Sequence, residues 1–152
     1  MKLSEALILR ADCQRKISQL RQRLARSAKV QEGEQPPENP QELLSELDSL
    51  IIELTDLIQR INKTNASTDL DSGTLSDALA QRDTLSIKRS VLDSLIQEAS
   101  ITHNRYSRSE VRFASTVDIA DLQRQVDSIS QAHRLLDAQI QSLNWQVELL
   151  DA

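Results

Sequence analysis

Five of the 152 residues are glycine or proline, where average usage would place roughly 18. Four of the five, Gly33, Pro36, Pro37 and Pro40, fall within eight positions, and the fifth is Gly73. Sandwiches, barrels and βαβ folds need far more turn residues than this, so most of the chain must run in long helices. The three aromatics, Tyr106, Phe113 and Trp145, are too few for an aromatic core or an aromatic-lined pocket, and no cofactor is expected. The single cysteine, Cys13, has no internal partner, which suits a reducing compartment. The opening MKLSEALILRAD is interrupted by Glu5 and Arg10, and no apolar run approaches the roughly 18 residues of a spanning helix. The expectation is a cytoplasmic chain with no transmembrane segment.

Heptad spacing locates four helices, at about 2–30, 40–62, 75–100 and 118–150. The first carries Leu3, Ala6, Cys13, Ile17, Leu20 and Leu24 as its seam, with Ser4 as a candidate cap. The second opens on Asn39, a good N-cap, and Pro40, which tolerates the first helical position because its missing N–H costs nothing there; Glu42 is placed to close a capping box. Its seam of Leu43, Leu47, Leu50, Leu54, Leu57 and Ile61 is widened by Leu44, Ile51 and Ile58. A polar stretch from Asn62 to Gly73 reads as a loop, after which Thr74 and Asp77 cap the third helix. That helix has Arg82 and Arg89 in its seam and is the least self-sufficient of the four. The fourth, capped by Asp118, keeps a seam from Ile119 to Leu150 broken only by His133. Between helices three and four, residues 105–117 alternate rather than follow a helical period and read as a short extended arm able to pair as a β-strand. The fold class is therefore all-α: one domain, 1–152, forming an antiparallel bundle of four long coiled-coil-like helices with one short extended arm.

Charge is unevenly placed. Residues 1–30 hold 8 basic and 2 acidic side chains, and residues 31–62 hold 1 basic and 8 acidic. Across a short linker these segments neutralise each other in a hairpin; alone, the basic helix would suit nucleic acid. Arg105, Arg108 and Arg112, interleaved with Tyr106 and Phe113, fit an interface anchor first and a nucleic-acid contact second. His133 lacks the Glu-x-x-His spacing of a di-metal centre and reads as a register-setting polar residue. Asp69, Asp71, Gly73 and Asp77 depart from a calcium loop, since the glycine comes one position early and Ala80 stands where the bidentate glutamate belongs. No metal site, phosphate loop or nucleophile motif is present in the sequence, and no enzymatic activity is expected. Trp145, on the outward face of its helix, marks a contact surface.

Arg10-Ala11-Asp12-Cys13-Gln14-Arg15, Ile61-Asn62-Lys63-Thr64-Asn65, Arg105-Tyr106-Ser107-Arg108-Ser109-Glu110-Val111 and Leu143-Asn144-Trp145 together carry a resemblance. On these segments the chain resembles a septicolysin-like family of small bacterial coiled-coil proteins of unknown function. The resemblance implies a bacterial origin and one domain and supplies no catalytic residues; the family's label implies a membrane-active cytolysin. The reading that follows is a non-enzymatic scaffold that forms a homo-oligomer through helical seams and the arm. A nucleic-acid-associated protein and a cytolysin are the alternatives. The candidate interaction residues are Asn62, Thr64 and Asn65, then Tyr106, Arg108, Glu110 and Arg112, then Asn144 and Trp145, in the role of polar contacts that fix loop, arm and neighbour geometry.

Overall fold

A computed structural model of the chain describes residues 1–101 and 111–152. The described residues contain four long helices, α1 (Leu3–Ser27), α2 (Pro40–Ser67), α3 (Leu75–Ala99) and α4 (Ile119–Gln146), with two short strands, β1 (Asp69–Leu70) and β2 (Gly73–Thr74), between α2 and α3. The fold is all-α, as the scarcity of turn residues requires. Two compact units share the chain: residues 1–69 with 143–152, and residues 70–142.

In the first unit, α1 and α2 form an antiparallel hairpin. Gly33, with φ +88, turns the linker through a conformation that residues bearing a Cβ rarely adopt. Asn39 caps α2 by accepting the Gln41 N–H at 2.9 Å, with Pro40 behind it. Cys13, Leu20, Leu43 and Leu50 are buried together, flanked by Ile17, Leu24, Leu47 and Leu54, so the heptad seams of both helices meet as their spacing demands. Truncating one of these leucines to alanine would cost about 2–5 kcal/mol. The Cys13 thiol donates to the Leu50 carbonyl at 3.2 Å, and burial pushes its pKa up. Neutralisation of the basic helix by the acidic one takes a concrete form at Arg23. Its guanidinium grips Glu38 bidentately, at 2.6 and 3.0 Å, and lies 3.6 Å from Glu46.

The polar stretch after Asn62 differs from its expected form. The helix continues through Ser67, and the Thr64 and Thr68 hydroxyls donate back to the Arg60 and Thr64 carbonyls, both at 2.8 Å. Polar side chains of this stretch thereby find local partners on the helix itself. The loop shrinks to the β1–β2 turn, in which Asp71 takes φ 52, a conformation aspartate tolerates better than most residues.

The second unit begins on the capping box of α3: Asp77 accepts the Thr74 N–H at 2.8 Å, and Thr74 accepts the Asp77 N–H at 3.3 Å. A polar pair joins its two helices. Arg82 on α3 reaches Asp137 on α4 at 2.8 Å and holds that carboxyl below its ordinary range. Asp118 caps α4 by accepting the Asp121 N–H at 3.0 Å. Residues 111–118 run without helix, in keeping with the expected arm; the rest of that arm lies outside the described residues.

The helix ends are shorter than the heptads suggested. α1 stops at Ser27, and its cap position is Lys2, with Ser4 already buried inside the first turn. α4 stops at Gln146 although Val147 and Leu150 continue its spacing. Beyond it the backbone extends, so Leu149 turns in, 8% exposed, while Leu150 turns out at 39%.

Candidate interaction site where the chain ends meet

The residues after α4 enter the first unit as a strand-like tail held from two sides. On one side lie residues 1–3. Lys2 and Glu148 form an antiparallel bridge, Leu149 N–H donates to the Met1 carbonyl at 2.8 Å, and Leu3 N–H donates to the Val147 carbonyl at 2.9 Å. The last of these satisfies one of the N–H groups that a helix start leaves without an internal partner. A second such group at this end, the Lys2 N–H, goes to the Glu5 carboxylate at 2.7 Å.

On the other side lie the last turns of α2. Thr64 is fully buried, and its hydroxyl works in both directions, donating to the Arg60 carbonyl at 2.8 Å and accepting the Leu150 N–H at 3.0 Å. Arg60 spans the tail end, with Nε to the Leu150 carbonyl at 3.1 Å and Nη2 to Asp151 at 3.3 Å. Lys63 Nζ donates to the Asp151 carbonyl at 2.9 Å. Backbone groups of the tail are thus paired one by one.

Electrostatics reinforces this geometry. Glu148 receives the Lys2 ammonium at 2.6 Å and the Met1 ammonium at 3.2 Å. The Lys2 hydrogen bond, followed by that of the Met1 ammonium, holds the Glu148 carboxyl below its ordinary 4.5. Arg60 and Lys63 meet the acidic end of the tail in the same sense. The arrangement is a clamp of ion pairs and backbone bonds, with no nucleophile beside a base, and it ties residues 147–151 to residues 1–3 and 60–64 of the same chain.

The expected interaction residues fall out unequally. Thr64 is central to the clamp, while Asn62 and Asn65, exposed and half-buried, sit beside it on the same helical turns and not in a loop. Asn144 is buried and Trp145, next to it, is 61% exposed; both belong to the last turn of α4, where the tail begins. Arg112 is exposed on the arm. Tyr106, Arg108 and Glu110 lie outside the described residues. Lys2, Arg60, Lys63, Glu148 and Asp151 carry the clamp without having been singled out; the only sequence signal for them is opposite charge at positions far apart, which pairs in too many ways to choose from.

Comparison with known proteins agrees with a fold whose function has yet to be established. A family model described as "Family of unknown function (DUF6847)" matches residues 10–149. A crystal structure of a functionally unknown conserved protein from Corynebacterium diphtheriae is similar over 99% of both chains, with 44% sequence identity and a TM-score of 0.92. No curated protein matches. These findings correct the septicolysin-like resemblance: the family that covers the chain bears no such label, and short shared segments such as Leu143-Asn144-Trp145 do not establish membership. The cytolysin alternative, which rested on that label, falls with it. No described helix is long and apolar enough to cross a membrane.

Proposed function

We propose, for a chain that belongs to the DUF6847 family of unknown function, a non-enzymatic structural role in the cytoplasm, exercised by self-assembly through exposed apolar helix faces. One observation carries this reading. Large apolar side chains stand at high exposure, among them Ile52 at 73%, Ile87 at 63%, Val91 at 61% and Phe113 of the arm at 51%. Apolar side chains left in water to this degree favour a partner. A buried, unreactive Cys13 thiol is consistent with the cytoplasmic setting.

Light scattering after gel filtration tests the reading. The expected result is a mass above that of a single 17.1 kDa chain at micromolar concentration, and a strict monomer overturns it.

A further inference from the structure

α3 carries two heptad seams on opposite faces. The inner one includes Arg82, which reaches Asp137. The outer one runs Ala80, Thr84, Ile87, Val91, Ser94 and Glu98, in steps of four and three residues, and all six are exposed. A 3,4 spacing that keeps one face of a helix in line is the condition for coiled-coil pairing, yet at the middle of this face Ile87 and Val91 stand 63% and 61% exposed. Only Glu98, in the last turn, brings charge into the stripe.

We propose that this outer face of α3 is a homotypic interface, on which a second copy of the chain seats its own α3 in parallel and in register. This inference rests on the self-assembly proposed above and identifies the surface responsible. Charge placement selects a second copy as the occupant. Asp83 and Lys88 flank the stripe on opposite sides at the positions where parallel coiled coils exchange salt bridges five residues apart. In a parallel pair, Asp83 of each chain therefore meets Lys88 of the other, twice by symmetry. The antiparallel alternative instead brings Lys88 near its own copy, at a cost. The Asp83 side chain is 70% exposed, and its contact with Arg82 is long, at 3.7 Å, which leaves the carboxylate accessible to a partner. Ile87 and Val91 would then stack on their own counterparts, with Leu95, 39% exposed, closing the flank. Thr84 meets Thr84 of the second chain in the same arrangement.

Light scattering of the full chain and of an Ile87→Glu/Val91→Glu variant tests the surface. The expected result is twice the chain mass for the native protein and a single-chain mass for the variant, with an unchanged far-UV circular dichroism spectrum, since both positions are exposed. A native protein that is monomeric overturns self-assembly altogether. A variant that stays assembled overturns only this surface. A Thr84→Cys variant provides a second measurement that does not depend on disrupting the pair. Under mild oxidation it is expected to give a covalent dimer on a non-reducing gel, with the native chain, whose Cys13 is buried, as the control. Assembly of that variant without cross-linking overturns the parallel register.

Discussion

Thr64 and Leu150, 86 residues apart, share a hydrogen bond of 3.0 Å in which a side-chain hydroxyl takes the place of a strand partner for a backbone N–H. Because the same hydroxyl donates to Arg60, no other side chain of similar volume can do both. Thr64→Val keeps the shape and leaves the Leu150 N–H without its protein partner in a part-buried site, an expected loss of about 1 kcal/mol in urea unfolding. Thr64→Ser keeps the hydroxyl and should recover most of that difference. Equal midpoints for the valine variant and the native protein would show that the tail is not anchored here.

Acid should weaken the ion pairs that hold the first unit together. Glu148 is held below its ordinary 4.5 by the Lys2 hydrogen bond and the Met1 ammonium, and Glu38 below the same value by its hydrogen bond to Arg23. A carboxyl whose folded pKa is depressed binds fewer protons folded than unfolded, so its contribution is complete above 4.5 and is lost as pH falls through the folded value. Thermal midpoints are expected to hold level from neutral pH down to that point and then decline. Glu148→Gln and Glu38→Gln should each lower the neutral plateau slightly and flatten the decline, and an unaltered slope in both would count against these pairs.

Gly73 is required by its neighbour and not by its own backbone angle. A Cβ at this position would lie 2.8 Å from the Asp77 carboxylate oxygen, which is the oxygen that caps α3. Gly73→Ala should therefore displace the cap and cost about 1 kcal/mol, as much as losing the capping side chain itself. In an Asp77→Ala background the same substitution should cost almost nothing, and the double-mutant cycle reads the coupling directly.

Cys13 should behave as a core residue. With its thiol buried, bonded to the Leu50 carbonyl and raised in pKa, alkylation by a maleimide is expected only as fast as the hairpin opens, so that the rate rises with urea in step with unfolding. Rapid labelling of the native protein would contradict the packing.

What was legible in the sequence follows from how far each interaction reaches. Asn39 with Pro40, Thr74 with Asp77, and Asp118 were identifiable as helix starts because a cap is made within three residues of itself. The seam of Leu43, Leu47 and Leu50 was identifiable because one helix period defines a face. Asn62, Thr64 and Asn65 were misplaced into a loop by composition; the back-bond of Thr64 to Arg60 is local, but its second partner, the Leu150 N–H, is distant. The end of α4 was extended to 150 because Val147 and Leu150 fit the heptad, and nothing periodic reports that Met1, Lys2 and Leu3 offer the next residues better backbone partners. The outer face of α3 escaped notice for a different reason. Its polar members, Thr84, Ser94 and Glu98, make half the stripe look like ordinary solvent-facing helix.

The clamp between residues 1–3 and 147–151 also orders events in time. The α1–α2 hairpin has its apolar seam as soon as the first 69 residues exist, yet the N–H of Leu3 and the hydroxyl of Thr64 wait for partners that follow the whole of the second unit along the chain. Closing so long an intervening loop is entropically costly only to the logarithm of its length, so docking of the tail is expected to be a late step and an early one to reverse. Along the chain the second unit interrupts the first, and a truncation that removes only residues 143–152 would damage the part of the protein made earliest.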